Sequence, residues 1–414
     1  MAWILSRVGA RRPVWLVAIV VALAVGLARA DDGIPATAAD ADFAASRGVD
    51  AEAQLRERLL ARVRTIGATQ TRYLLAGFVQ LDGIAARRRQ DGDEQDTLFP
   101  SATPFGPAPN ERRGSVRQSQ FNVLTHTPTG AGPVWTRLEA NLFPLDGTTR
   151  PTLNQLFVRW DEHLVVGKTY ATFMDDGILP TTLDYNGPAG VTFVRQALVR
   201  GRVVLDRGFA VEAALEDAQA DVDGAGAAAV RPDVAARLRY EGAGGGHLQL
   251  AALSRRIRLT TSVPVPSERT VTGSGVSLSG ALPLRTDDRL MFQLVTGTGI
   301  ARYFNDPLAV PAVALRPGTG IDLSRTSGAT VYYQRTWTPD WVSTAGLSTA
   351  WVDGDGTRPP QALRRSIYAS LNLLHRLTPT LIVGAEALWG EAQRVDGDRA
   401  GNARLQASIR YLIF

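Results

Sequence analysis

From about Tyr73 to Phe414 the chain repeats one pattern: short segments in which every second side chain is apolar, separated by polar turns rich in Gly and Pro. In the stretch Val134 to Leu142, the apolar Val134, Leu138, Ala140 and Leu142 share one face, while Arg137, Glu139 and Asn141 share the other. One face suits lipid and the other suits water. A soluble sandwich shows similar alternation in any single strand. Its repetition along most of the chain, without an intervening helical period, predicts an all-β fold, a transmembrane antiparallel β-barrel. Closure would leave no sheet edge exposed to lipid.

The pattern places about 16 strands, an even number as in single-chain bacterial barrels. They are Tyr73–Ala85, Ser115–Thr127, Val134–Leu145, Thr152–Asp161, Leu164–Phe173, Thr192–Leu205, Ala210–Asp217 and Asp233–Glu241, then His247–Ile257, Ser274–Leu282, Arg289–Gly299, Gly328–Thr338, Trp341–Val352, Arg364–Leu377, Thr380–Trp389 and Ala403–Phe414. Short turns such as 161–163 and 338–340 alternate with long connections such as 86–114 and 302–327, the periplasmic and extracellular asymmetry of such barrels. Trp135, Trp160, Trp337, Trp341, Trp351 and Trp389 fall near strand ends, where interfacial girdles are expected.

The residues before the barrel divide in two. Arg7, Arg11 and Arg12 precede the apolar run Val14 to Leu27, and Ala28-Arg29-Ala30 supplies a small-x-small cleavage site, so residues 1–30 read as a signal peptide cut before Asp31. The run is shorter than the roughly 20 residues that a spanning helix needs. Residues 31–70 read as a periplasmic linker followed by a short helix capped by Asp50, with Leu55, Leu59, Val63 and Ile66 forming an apolar stripe between charged flanks. That stripe suits either a short oligomerising coiled coil or a linker helix resting on the barrel mouth.

Charge is weak evidence once the leader is set aside. Four of the 45 Lys and Arg residues lie in it, and it holds no acid, so 41 basic residues then face 40 acidic ones. Nucleic-acid binding loses its compositional support, and electrostatic selectivity must come from where the arginines sit. Cysteine is absent, which excludes disulfides, thiolate metal sites and cysteine nucleophiles.

The last strand ends in Phe414, as barrels recognised by the outer-membrane assembly machinery do, and Leu412 fits the apolar series in steps of two. Arg410 and Ser408 break that series, while Tyr411, Ile409, Ala407 and Leu405 hold the other register, which predicts an irregularity near the terminus.

The motifs Gly167-Lys168-Thr169-Tyr170-Ala171-Thr172-Phe173-Met174-Asp175-Asp176, then Pro180, Leu183-Asp184-Tyr185-Asn186-Gly187-Pro188 and Val194-Arg195-Gln196-Ala197 resemble those of the DcaP-like trimeric porins of Gram-negative outer membranes. Supporting similarities are Gly77 to Asp82, Phe121-Asn122-Val123 and Thr127 to Gly130. The resemblance implies a sixteen-stranded trimeric diffusion channel, a constriction loop folded into the lumen, and a basic pore favouring anions such as dicarboxylates. It also implies a periplasmic coiled coil. The Ala/Arg-rich, Lys-poor composition departs from the better-known members.

The residues point the same way. Residues 174–192 are too irregular and too punctuated by Gly and Pro for a strand, and a loop of that length between strands can fold inward. Asp175, Asp176, Asp184 and Tyr185 would then line one side of a constriction, facing Lys168, Arg159, Arg200 and Arg202, with Arg195 beside them. Taking Lys168 inward puts Val165, Gly167, Thr169, Ala171 and Phe173 on the lipid face, and taking Arg159 inward puts Leu156, Val158 and Trp160 there. Anions would follow the guanidinium side, where bidentate contacts replace hydration. Arg137, Arg364 and Arg410 extend the set of lumen cations, although an arginine at a strand end serves equally well outside, against lipopolysaccharide.

Enzyme readings find little support. His126, His163, His247 and His375 are dispersed, and no Gly-x-Ser-x-Gly elbow occurs. The Gly-Thr-Gly-Ile repeats at 297–300 and 318–321 lack the Gly-Lys-Ser/Thr of a phosphate loop. The acidic turns 91–94 and 353–356 read as solvated turns rather than cation sites. No cofactor or metal is expected. Two classes remain: a passive channel for small anions, and a structural or adhesive barrel with an occluded lumen.

Overall fold

The computed structural model of the chain describes residues 65–66, 70–219, 226–242, 244–261, 267–284, 288–306, 313–316, 320–353 and 358–413. Sixteen antiparallel strands close into a barrel. The first eight are β1 (Thr71–Ala86), β2 in two pieces (Glu111–Ser115 and Gln120–Thr127), β3 (Val134–Asn141), β4 (Thr152–Trp160), β5 (Leu164–Tyr170), β6 (Arg195–Val204), β7 (Phe209–Glu216) and β8 (Asp233–Glu241). The rest are β9 (His247–Thr261), β10 (Ser267–Pro283), β11 (Asp288–Thr298), β12 (Arg325–Thr338), β13 (Trp341–Val352), β14 (Leu363–Thr378), β15 (Leu381–Arg394) and β16 (Arg399–Leu412). Each pairs with its neighbours in order, and β16 closes the barrel on β1 from Phe78↔Leu412 to Ala86↔Arg404. Every strand expected from the alternation has its counterpart here.

The side chains are inverted relative to a soluble fold. On β16 the outward positions are Leu405, Ala407, Ile409 and Tyr411, while Arg404, Gln406 and Ser408 point inward and are buried. The alternation continues unbroken through Arg410 to Leu412, so the expected irregularity is absent there. Arg410 and Ser408 occupy lumen positions; their polarity marks the inner face rather than a register break.

β2 departs from the single expected strand for a local reason. Residues 116–119 leave the ladder, and Arg117 turns in to grip Glu94 with both terminal nitrogens, at 2.9 and 2.8 Å. Glu94 is thereby taken out of the acidic turn 91–94. A separate hairpin, Val313–Arg316 with Gly320–Leu323, lies outside the barrel sheet. Gly226–Ala229 extends the pairing along β9.

The signal peptide and the stripe residues Leu55, Leu59 and Val63 lie outside the described residues. Ile66, expected at the end of that helix, instead sits in the two-residue strand Thr65–Ile66, paired antiparallel with Thr71 and Arg72. Two adjacent β-branched residues favour extended backbone.

Three segments between strands enter the barrel: 94–99, 171–194 and 300–306. Leu98 and Ile178 are fully buried with Met291, Tyr332 and Tyr368 of the wall, and Phe173, Met174, Ile300 and Tyr303 with Ala235, Ala251 and Leu253. The long connection 86–114 is therefore partly internal rather than wholly extracellular.

Candidate functional site

After Tyr170 the chain leaves β5 and dives into the lumen. Ala171, Phe173 and Met174 pack with Ile300, Tyr303, Ala251 and Leu253. Gly187 (φ +69°) and the flanking Pro180 and Pro188 keep the segment from forming a strand. Its far limb lies flat on the wall because two glycines allow it: a Cβ on Gly190 would run into Thr349 O, and one on Gly328 into Gly190 O. The segment 300–306 pairs along this limb, with Phe193 N donating to Tyr303 O at 2.8 Å and Asn305 N to Val191 O at 2.9 Å.

Two aspartates anchor the loop. Asp175 is fully buried and meets His247 Nε2 at 2.9 Å, Arg239 Nη1 at 3.1 Å and Ser279 Oγ at 2.6 Å. Burial pushes its carboxyl up, but the His247 hydrogen bond and charge, with Arg239 and Ser279, hold it well below the ordinary carboxylate range. Asp184 is also buried. It accepts from Thr97 Oγ1 at 2.7 Å, Leu98 N at 3.1 Å and Tyr368 Oη at 2.9 Å, with Arg404 at 3.8 Å. Burial raises its pKa against the lowering effect of Arg404 and these donors. Glu386 of β15 accepts the backbone N–H of Leu183 at 2.7 Å and of Asp184 at 2.8 Å.

Of the four loop residues expected at the constriction, Asp175 and Asp184 are therefore buried anchors and do not face solute. Asp176 is exposed in the lumen, in the single helical turn Asp176–Ile178. Tyr185 is half-buried, stacked on Phe143 at 3.8 Å, with its hydroxyl accepting from Asn141 Nδ2 at 2.5 Å.

The wall from β4 to β8 carries the arginines. Arg159 on β4, Arg200 and Arg202 on β6 and Arg237 on β8 project inward around two carboxylates. Glu212 of β7 lies 2.8 Å from Arg237 Nη2, 3.2 Å from Arg200 Nε and 3.7 Å from Arg202 Nε. Glu162, in the turn after β4, lies 2.9 Å from Arg202 and 3.8 Å from Arg159. Four guanidinium groups thus face two acids, with the exposed Asp176 of the loop near enough for its charge to act on Arg200 and Arg239. Arg200 Nη1 also reaches Tyr170 O and Arg237 Nη1 reaches Met174 O, both at 3.3 Å, so the same wall steadies the descending limb of the loop. Arg289 of β11 donates to Gly177 O at 3.4 Å.

Arg137 is inward and buried, paired with Glu139 at 2.7 Å. Arg195 lies across the Tyr170 and Phe193 rings at 5.2 and 4.8 Å. Arg410 faces the lumen with Nε on Gln80 Oε1 at 2.8 Å, and Arg364 is exposed.

Lys168 corrects the expectation. It pairs in register with Leu156, which is 48% exposed, and shares its face with outward Val166, while Val165 and Thr169 are buried inward. Its Nζ donates to Leu153 O at 2.8 Å on the outer surface. β5 has apolar residues in both registers, and the inner one is claimed by packing of Val165 with Phe157 and Leu198. Arg237, Arg239, Arg289 and Glu212 were missed. The alternation Val234, Ala236, Leu238, Tyr240 on β8 and Phe209, Val211, Ala213, Leu215 on β7 already assigns the first two and Glu212 to the inner face.

No protein-family model and no curated protein matches the chain. Among solved structures, the outer membrane channel DcaP of Acinetobacter baumannii is similar at a TM-score of 0.73 and 18% identity, over 84% of this chain and 99% of that one. An anion-selective porin from Comamonas acidovorans matches at 0.54 and 11% identity, over 83% and 100%. OmpT, an outer membrane protein of Vibrio cholerae, matches at 0.52 and 12%, over 85% and 100%. At these identities the likeness is one of fold, and the fold is the sixteen-stranded barrel of outer-membrane porins.

Proposed function

We propose that the protein is an outer-membrane porin through which small hydrophilic solutes diffuse passively, with anions preferred. The carrying observation is the inward cluster Arg159, Arg200, Arg202 and Arg237, which pairs with Glu162 and Glu212, beside a loop turn that presents Asp176. Guanidinium groups in a narrow wet lumen replace part of an anion's hydration with directed donors. Dicarboxylates fit this chemistry. The reversal potential of the purified protein in a planar bilayer under a salt gradient tests the reading.

The alternative, a structural barrel with an occluded lumen, draws on one observation. The three inward segments bury Tyr303, Tyr332 and Tyr368 completely. Correctly folded protein without conductance would favour it.

The outer wall supports assembly into a homotrimer. β3, β4 and β5 have 8, 9 and 7 residues, against 15 and 17 in β9 and β10. A seven-residue strand tilted about 45° rises about 16 Å, short of an apolar band about 25 Å tall. This low wall also carries Lys168, which lipid would disfavour and a neighbouring copy can cover. Oligomer mass in detergent after deleting residues 31–70 separates wall-driven from helix-driven assembly. Arg256 and Arg258 on β9 are exposed on the outer face, which supports a contact with lipopolysaccharide phosphates, and the apolar outward register of β16 supports recognition by the barrel-assembly machinery.

A further inference from the structure

The arginine cluster is already occupied by part of the protein itself. Glu212 is buried between Arg200 and Arg237, and both contacts fall on its Oε2, at 3.2 and 2.8 Å. Its Oε1 faces Arg202 Nε at 3.7 Å, beyond hydrogen-bond distance, and the Nε atoms of Arg202 and Arg237 are buried donors with no acceptor among the described residues. Buried guanidinium donors left without acceptors are costly, so the cluster is incompletely satisfied by Glu212, the one buried carboxylate among it, with Glu162 reaching only Arg202 and Arg159 from the turn. Glu212 comes from the adjacent strand β7, between β6 and β8, so its carboxylate is a tethered anion held in place by the sheet register Arg202↔Glu212 and Arg237↔Glu212.

We infer that Arg200, Arg202 and Arg237 form an anion-binding station in the lumen, and that Glu212 acts as a built-in competitor that sets how long a permeating oxyanion stays there. The inference rests on the porin reading above. A passing carboxylate or phosphate engages the donors that Glu212 leaves open, and the fixed negative charge keeps that engagement weak enough for release, as multi-site conduction requires. Glu162 differs: its side chain is 43% exposed, and its contacts to Arg159 and Arg202 lie in the turn at the strand ends. Solvent screening there reduces its weight.

The test is block of chloride current by inorganic phosphate in planar bilayers, comparing wild type with Glu212→Gln and Glu162→Gln. Glu212→Gln is expected to show half-block at about tenfold lower phosphate, the effect of roughly 1.4 kcal/mol from one charge-assisted contact. Glu162→Gln, which releases only Arg202 and Arg159 in the solvent-exposed turn, is expected to raise chloride selectivity slightly and to tighten phosphate block by much less than Glu212→Gln does. Phosphate block unchanged or weakened in Glu212→Gln, in a channel whose wild type is anion-selective, overturns the inference while the porin reading stands. So does equal tightening in Glu162→Gln, because that reports bulk charge and not a station. A non-conducting wild type overturns both. If Glu212→Gln does not fold, Glu212→Asp keeps the charge but withdraws it from Arg237. A smaller tightening is then expected, and no change in folded protein refutes the role.

Discussion

The Thr97 hydroxyl donates to Asp184 Oδ1 at 2.7 Å, and Asn186 N donates back to Thr97 Oγ1 at 3.2 Å. Residues 87 positions apart, on separate inward segments, are thereby joined in the lumen, and Tyr368 Oη adds the barrel wall to the same carboxylate. The inward loop is clipped to another loop as well as to the strands. Its position is therefore a property of three elements together.

Asp184→Ala removes one acceptor from Thr97 Oγ1, Leu98 N and Tyr368 Oη. An unsatisfied buried donor costs about 1 to 3 kcal/mol. Thermal unfolding in detergent should show a loss of that order, and single-channel records should show more current noise as the loop loosens. Quiet channels of wild-type stability would show that the clip is dispensable.

Asp175 contributes to the acid side of stability. Its folded pKa is depressed, so its contribution is present above the unfolded carboxylate value of about 4 and is lost as pH falls through the folded value. Melting temperatures of wild type should fall below about pH 4, and Asp175→Asn should be less stable at neutral pH with a flatter acid dependence. Parallel curves for the two proteins would contradict this.

Gly328 has a steric role. A side chain there meets Gly190 O and Phe304, so Gly328→Val should push the loop into the lumen. Conductance should drop by about half or more while the barrel still forms, since lumen width limits flow. Unchanged conductance would place the loop's position under other control.

Lys168→Ala should leave conductance and ion selectivity unaltered, because the Lys168 side chain lies on the outer surface against Leu153 O. A selectivity change would put that side chain back in the pore.

Much of this was legible in the sequence, and the reasons are physical. Strand positions follow from period-two polarity, which the barrel enforces on both faces, so β8 and β13 match their expected bounds at Asp233–Glu241 and Trp341–Val352. Faces were readable where one register is wholly apolar, as for Arg159 opposite Leu156 and Val158. They were not readable on β5, where Val165 and Val166 compete and tertiary packing decides. The inward loop was visible in its glycines and prolines, but the roles of its acids were not. Whether Asp175, Asp176 or Asp184 faces solute depends on His247, Thr97 and Tyr368, residues brought together only by closure. The inward run of 94–99 had no local signal, since its polar composition suits an exposed loop equally well.

The reversal potential under a salt gradient tests the central claim most directly, measured on wild type and on the protein carrying Arg159→Gln, Arg200→Gln, Arg202→Gln and Arg237→Gln together. The account predicts anion preference in wild type and its loss in the variant, with conductance retained. A cation-selective or silent wild-type barrel, or a variant with undiminished anion preference, would contradict it.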